Sequence, residues 1–189
     1  MAILRSLAGR SRIFASWLLA LSTLVATAQS TETTAEYKVK AVYLIKFVQF
    51  VGWPASAFAS GDAPLVIGVL GNDPFGRVLD EVPEGEVVKN RRVVIRRYRN
   101  IRDVDNAQVL FIGQSEAPRI RPILGELKGQ SILTVSDIEG FSYEGGIVRF
   151  LMVNNKVRFR INVDAARDAN LQISSKLLQL AEIVHDPVH

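Results

Sequence analysis

Ser115 is the residue whose sequence setting comes closest to that of a catalytic nucleophile. It lies in the segment GQSEA (residues 113–117), directly after an apolar run, as the serine of a hydrolase does between its strand and helix. However, Ala117 replaces the last glycine of that motif, and Glu116 would place a carboxylate beside the N–H that must hold an oxyanion. The N-cap of a following helix accounts for Ser115 in full. We therefore predict that the protein is not an enzyme and has no catalytic residue.

Metal and phosphate chemistry have equally little support in the sequence. There is no cysteine, and the two histidines, His185 and His189, stand at the end of the chain as expected solvated residues. The usual zinc spacings cannot be built from them. Gly68, Gly71 and Gly76 surround a predicted strand-to-helix turn, but their spacing differs from the dinucleotide fingerprint. We expect neither a metal nor a cofactor.

The elements that position these residues alternate between strands and helices. Residues 65–70 form a continuous apolar run of buried-strand length, and further strands are predicted at 92–98, 109–112 and 132–135. Short helices are predicted from Pro74 to Val82 and from about Pro118 to Leu127, the second capped by Ser115. Such alternation predicts an α/β fold of three layers, with a mainly parallel sheet and helices on both faces.

The C-terminal part departs from this alternation. Two alternating strands, 146–152 and 157–162, meet at Asn154-Asn155, which suits a tight turn, so an antiparallel C-terminal hairpin edge is expected. A terminal amphipathic helix is then predicted from apolar residues at helical spacing, namely Ile173, Leu177, Leu180, Ala181 and Val184.

Several polar residues follow the predicted parallel strands and should meet at one edge of the sheet. Ligands favour that edge of an α/β fold. Each residue also has an ordinary role as a cap or turn former. A small-ligand pocket is therefore one hypothesis for this set: Asn72, Asp73, Ser115, Ser136 and Asp137.

The most apolar helix is predicted from Tyr37 to Gly52, after a capping box at residues 33–36. Its polar residues occupy a narrow sector, so its apolar arc is wider than a surface helix needs. The helix is either sandwiched between core layers or offers a second face to another chain. The residues predicted to contact that partner are Val39, Tyr43, Phe47, Phe50 and Trp53.

Arg149, Arg158 and Arg160 alternate with apolar residues on the predicted hairpin and should share its outward face. A solvated sheet face explains them by default. The sharper hypothesis is a contact with the acidic surface of a partner.

The N-terminal segment has the features of an export signal. Three arginines precede an apolar run at residues 13–25, and Ala26-Thr27-Ala28 predicts cleavage before Gln29. An uncleaved anchor is the alternative. Cleavage would leave residues 29–189 as a single domain, with its basic and acidic residues nearly balanced. No nucleic-acid partner is therefore expected.

The ordered motifs of the chain resemble the YfiR family of periplasmic regulators from about Tyr37 to Val184. They include KFVQFVGWP (residues 46–54), VLGNDPFG (69–76), VLFIG (109–113), FRIN (159–162) and SSKLLQLA (174–181). The resemblance implies a non-enzymatic protein that binds the periplasmic region of an inner-membrane diguanylate cyclase and represses its output. Cyclic-di-GMP signalling and biofilm control are the implied setting. Because this chain lacks cysteine, redox control through disulfides is not expected.

Two functional hypotheses follow from the sequence. The first is a periplasmic regulator that binds and represses a membrane-bound cyclase or similar signalling protein, with a homodimer mate as another candidate for the helix surface. The alternative is a periplasmic small-ligand sensor or binding protein.

Overall fold

The computed structural model of the chain describes residues 34–81 and 87–186. Helix α1 covers residues 34–50. The strands are β1 (Val51–Gly52), β2 (Leu65–Leu70), β3 (Val87–Val88), β4 (Arg91–Tyr98), β5 (Val109–Ile112), β6 (Leu133–Ser136), β7 (Val148–Val153), β8 (Lys156–Asn162), β9 (Gln172–Ile173) and β10 (Glu182–Val184). The remaining α-helices are α2 (Val78–Glu81), α3 (Ile120–Leu127), α4 (Val163–Asp168) and α5 (Ser175–Leu178).

Eight of these strands form one mixed sheet in the order β10-β8-β7-β6-β5-β2-β4-β3. The run from β7 through β6, β5 and β2 to β4 is parallel. The pairs β7–β8 and β3–β4 are antiparallel. The predicted α/β fold, with a mainly parallel sheet and a C-terminal antiparallel hairpin, is confirmed, and β10 continues the sheet beyond β8.

The sheet is covered on both faces because its central strands are apolar on both sides. Every residue of β2 and β5 is buried. Helix α3 packs through Ile123 and Leu127 on the face that carries Leu110 and Ile112. The opposite face carries Phe111 and, through the strand register, Phe150 and Phe159. Helix α1 lies against that face, because its Phe47 ring contacts both of these rings.

The C-terminal segment corrects the prediction of an amphipathic helix. Residues 172–184 instead form β9, the single turn α5 and β10. Strand β9 pairs with β1, and β10 pairs with β8. Leu180, which the helical spacing assigned to a buried stripe, is 67% exposed. Hydrogen bonds to distant strands outweigh the local apolar period here.

Two helix boundaries also differ from the prediction. Helix α1 ends at residue 50 because Val51–Gly52 joins the two-stranded sheet with β9. Helix α2 begins only at Val78. The Asp73 side chain accepts hydrogen bonds from the N–H groups of Phe75 and Gly76. This local turn takes the place of the first helical residues, so the helix begins after it. The predicted end of α2 at Val82 lies outside the described residues.

Candidate functional site

Helix α1 buries one side and exposes the other, with six of residues 34–50 buried and seven exposed. Leu44, Phe47 and Val48 have no exposed surface, whereas Val39 and Val42 are 45% and 40% exposed. Tyr43 is half-buried. Helix α1 therefore belongs to the core on its buried side. Its N-terminal half also has a small apolar surface that is exposed.

An aromatic cluster holds α1 against the β7–β8 hairpin. The ring centroid of Phe47 lies 5.7 Å from that of Phe150 and 5.2 Å from that of Phe159. The Tyr43 ring lies 6.1 Å and 5.4 Å from the same two rings. Such pairs contribute about 0.5–1.5 kcal/mol each beyond their buried area. Phe47 is thus a core residue, which corrects its assignment to a partner-binding surface.

Phe50 and Trp53 lie at the other end of α1 from Val39. Along a helix, Phe50 stands about 16 Å from Val39. Both aromatic residues are half-buried. The Trp53 indole donates a hydrogen bond to the carbonyl of Gln108 at 3.1 Å. The five residues predicted to contact a partner therefore do not form one continuous surface.

A buried ion pair fixes the N-terminal half of α1. The Lys40 ammonium lies 2.5 Å from the Asp137 carboxylate, and the two side chains are almost completely buried. Asp137 directly follows β6, while Gln108 directly precedes β5. Because Lys40 lies near the carboxyl ends of the parallel strands and Trp53 near their amino ends, α1 runs antiparallel to those strands.

This direction brings the exposed part of α1 toward the outer part of the hairpin. Strand β7 pairs with β6 only at Val148 and Arg149, so its later residues extend past the end of β6. Met152 lies two residues beyond Phe150, on the same face as the aromatic cluster, and is 43% exposed. We call Val39, Val42, Tyr43 and Met152 the apolar patch.

The five residues predicted to line a ligand pocket do lie at the carboxyl ends of β2, β5 and β6, and internal bonds engage them. Ser136 donates a hydrogen bond to the carbonyl of Ile112 and accepts one from the N–H of Ile138. Asp137 binds Lys40 and accepts a hydrogen bond from the Gln114 amide. These contacts build the edge of the sheet, and a ligand at this edge stays a prediction.

Ser115 joins two turns at this edge. Its hydroxyl accepts a hydrogen bond from the N–H of Asn72 at 2.9 Å, and it caps no helix. The predicted N-cap role of Ser115 is therefore wrong. The serine lies inside a 3-10 turn, Gln114–Arg119, that precedes α3.

Arg97 binds two carboxylates, those of Asp73 and Asp80, beside the same edge of the sheet. Its guanidinium donates to Asp73 at 2.7 Å and to Asp80 at 2.8 and 2.9 Å. The hydrogen bonds to Asp80 and Asp73 raise the pKa of Arg97. Asp73 is thereby committed to a turn and to an ion pair.

The three hairpin arginines lie on one face, as their alternation predicts. Arg149 and Arg160 are register partners across the hairpin, and Arg158 pairs with Leu151 two residues further out. Glu182 lies 2.8 Å from Nε of Arg160, and this contact raises the pKa of the guanidinium. We call Arg149, Arg158 and Arg160 the arginine face.

A groove of about 690 Å³ lies between α3, α4 and the segment that leads into β7. Leu127, Ile147 and Ala169 supply apolar walls, and Arg121 and Glu144 lie at its polar border. The carboxylate of Glu144 accepts hydrogen bonds from Arg121, and these lower its pKa. Sequence reasoning missed this groove because its lining comes from three separate segments with no shared motif.

Within residues 34–81 and 87–186, no group of three or more acidic or histidine side chains is arranged to hold a metal ion. In the same part of the chain, no helix combines the length and the apolar character needed to cross a bilayer. His185 is exposed, and its Nδ1 lies 2.9 Å from the Asp164 carboxylate.

The fold and its surfaces define a mixed-sheet α/β domain that presents a small apolar patch and an arginine face. The chain belongs to the YfiR/HmsC-like family, whose model matches residues 37–182. That family is regulatory and periplasmic, and membership suggests a regulator in cyclic-di-GMP signalling that interacts with a membrane signalling protein. No curated protein matches the chain.

Proposed function

We propose that this protein is a periplasmic regulator that binds the periplasmic region of a membrane-bound diguanylate cyclase and represses it. Family membership supports the signalling role. The observation that carries the binding role is the apolar patch. Val39 and Met152 remain more than two-fifths exposed, although Val39 stands one helical turn before Tyr43 and Met152 two residues after Phe150. Exposed apolar surface of this kind commonly marks a protein contact.

The arrangement of the patch suits a docking surface on a rigid support. The Tyr43 ring contacts the hairpin aromatics, and the Lys40–Asp137 ion pair fixes the next turn of the helix. A partner that covers Val39 and Tyr43 would therefore meet a preformed surface. Preformed surfaces lose little conformational entropy on association. Aromatic residues also provide much of the binding energy in many interfaces.

The test compares two valine-to-glutamate variants in cells that lack the native gene. Val39→Glu places a charge in the apolar patch. Val87→Glu places one on β3, the strand at the opposite edge of the sheet from β10, and Val87 is 63% exposed. Cellular cyclic-di-GMP should rise on deletion and return to its original level with the wild type and with Val87→Glu. Val39→Glu should fold normally and fail to restore repression.

Two results would count against the proposal. An unchanged cyclic-di-GMP level on deletion would remove the cyclase as the target. Full repression by a folded Val39→Glu variant would place the contact elsewhere. Binding of the purified variants to the cyclase's periplasmic region by calorimetry should follow the cellular order.

Export by a cleaved signal is part of the proposal, although residues 1–33 lie outside the described part of the chain. Mass spectrometry of the mature protein should find Gln29 at the N-terminus. Retention of the apolar run would instead support an uncleaved anchor.

A small-ligand sensor is the second candidate, and the groove beside α3 favours it. Its volume is in the range of small-molecule sites. Gly125 lies on its wall, and a Cβ there would meet no atom within 4 Å, so Gly125→Trp should fill the groove without disturbing the fold. A metabolite that raises the melting temperature of the wild type and not of Gly125→Trp would support this function.

A further inference from the structure

The β7–β8 hairpin places like charges directly opposite each other. Arg149 and Arg160 are register partners, and Arg158 is the next arginine outward on β8. Side chains at paired positions of an antiparallel ladder lie about 4.5–5.5 Å apart at Cβ, and like charges there destabilise the sheet. Lys156 at the tip lies on the same face, paired with Val153. This face therefore concentrates positive charge on a chain that is otherwise nearly balanced.

The charge on the arginine face is only partly compensated. Glu182 forms an ion pair with Arg160, although the contact lacks the geometry of a hydrogen bond. Arg149 and Arg158 have no ion pair among the described residues. The Nε atom of Arg149 is buried and has no hydrogen-bond partner in this part of the chain.

Some arginines elsewhere on the surface are matched by carboxylates. Arg97 binds two aspartates, Arg96 binds Asp105, and Arg121 binds Glu144 through two nitrogen atoms. Others, such as the exposed Arg92 and Arg99, have no ion pair among the described residues, so a missing counter-ion alone does not mark a site. The arginine face differs in its register, which places Arg149 opposite Arg160 and Arg158 two residues further out, with Glu182 on Arg160. This concentration of like charge points to an anion that comes from outside the chain.

The spacing of the arginines along β8 indicates the shape of that anion. Arg158 and Arg160 stand two residues apart on one strand, or about 6.7 Å. Carboxylates at alternate positions of an extended peptide have the same separation. Leu151 and the exposed Val153 lie on the same face and provide apolar contacts between the charges.

We propose that the arginine face binds an extended acidic segment of a protein partner, with carboxylates at alternate positions of that segment. Guanidinium groups bind carboxylates through paired hydrogen bonds, and the exposed Arg158, which has no ion pair among the described residues, can donate in this way. The inference deepens the proposed function and rests on it for the existence of a protein partner.

The test uses the purified mature protein and labelled peptides, followed by fluorescence anisotropy. One peptide alternates glutamate with valine, a second has the same composition with its glutamates contiguous, and a third replaces glutamate by glutamine. The double variant Arg149→Gln/Arg158→Gln should bind the alternating peptide roughly tenfold or more weakly than the wild type. Arg92→Gln, an exposed arginine on β4 across the sheet, should bind it as the wild type does.

Several results would overturn the inference. Equal affinity for the alternating and contiguous peptides would mean attraction without the proposed register. Equal loss in Arg92→Gln would show general charge attraction. Displacement of the peptide by inorganic phosphate would indicate a phosphate site, and tighter binding to anionic phospholipid vesicles would indicate a membrane surface.

The peptide result is separable from the fate of the proposed function. Peptide binding needs no cyclase, so it reports on the arginine face alone. If the peptide binds in the predicted order while deletion leaves cyclic-di-GMP unchanged, the partner is a different acidic protein. If deletion raises cyclic-di-GMP but no peptide binds, the cyclase contact lies on the apolar patch only.

Discussion

The buried ion pair between Lys40 and Asp137 gives the sharpest test of how α1 is held. The two atoms lie 2.5 Å apart, and the exposed fractions of the side chains are 3% and 8%. Breaking a buried pair by removing one partner typically costs about 3–5 kcal/mol, because a desolvated charge is left behind. Lys40→Met keeps the length of the side chain and removes only its charge. It would leave the Asp137 carboxylate without the Lys40 ammonium.

Urea unfolding of the mature protein measures this cost. With a denaturant dependence of about 2 kcal/mol per molar urea, the loss lowers the unfolding midpoint by about 1.5–2.5 M. Lys46→Met removes an exposed lysine from the same helix and should change stability by no more than about 0.5 kcal/mol. The double variant Lys40→Met/Asp137→Leu should recover much of the loss, since apolar replacement of both partners is often neutral.

The reasoning fails if Lys40→Met costs less than about 1 kcal/mol, or no more than Lys46→Met. It also fails if the double variant is less stable than Lys40→Met, since the pair would then carry no coupling of the expected sign. A stable Lys40→Met variant that still returns cyclic-di-GMP to the wild-type level in the deletion strain would further show that the pair does not position the apolar patch.

Two further predictions concern the turn after β2 and the contact between Asp164 in α4 and His185 after β10. Gly71→Ala should destabilise more than Gly76→Ala, because both have a positive φ but only at Gly71 would a Cβ approach Ser115 Oγ to 2.4 Å. Thermal unfolding should show a loss of stability of about 1–2 kcal/mol for Gly76→Ala, from backbone strain, and a larger loss of stability for Gly71→Ala. Asp164 has a lowered pKa, chiefly because His185 hydrogen-bonds to its carboxylate. Its contribution to stability is therefore present at neutral pH and lost as pH falls through that lowered pKa, so Asp164→Asn should destabilise at pH 7 and match the wild type in strong acid.

The central sheet could be predicted because its strands are encoded locally. Residues 65–70 and 109–112 are continuous apolar runs, and the structure buries every residue of both. The hairpin is marked by Asn154 and Asn155, which adopt φ values of 50° and 57° at its turn. Asparagine tolerates this region better than most residues. Local chemistry and the final structure agree in these segments.

The C-terminal segment could not be predicted because its partners are distant. Gln172–Ile173 bonds to Val51–Gly52, and Glu182–Val184 to the end of β8. No local pattern shows these pairings. The spacing of apolar residues at 173–184 is compatible with a helix, and only the strand partners decide against it.

In the candidate site, too, features set by local sequence could be predicted, and features that depend on distant segments could not. The alternation of Arg149, Arg158 and Arg160 placed them correctly on one face, since the period of a strand is simple and local. The apolar arc of α1 indicated more apolar surface than a surface helix needs to bury. It could not show which of those residues would be exposed. Phe47 is buried because Phe150 and Phe159 lie opposite it, and that depends on where the hairpin folds.

The two proposed surfaces lie on opposite faces of one hairpin. Met152 belongs to the face that packs on α1, whereas Leu151 and Arg158 belong to the other. Because β7 extends past the end of β6, the outer hairpin has no sheet neighbour on that side among residues 34–81 and 87–186, and a single partner could straddle its tip. In that case Val39→Glu and Arg158→Gln should both weaken the same binding reaction, while each leaves the other surface intact. Two separate partners would instead make each variant defective for only one of them. Titrating the cyclase's periplasmic region and the acidic peptide against both variants therefore decides whether the hairpin serves one contact or two.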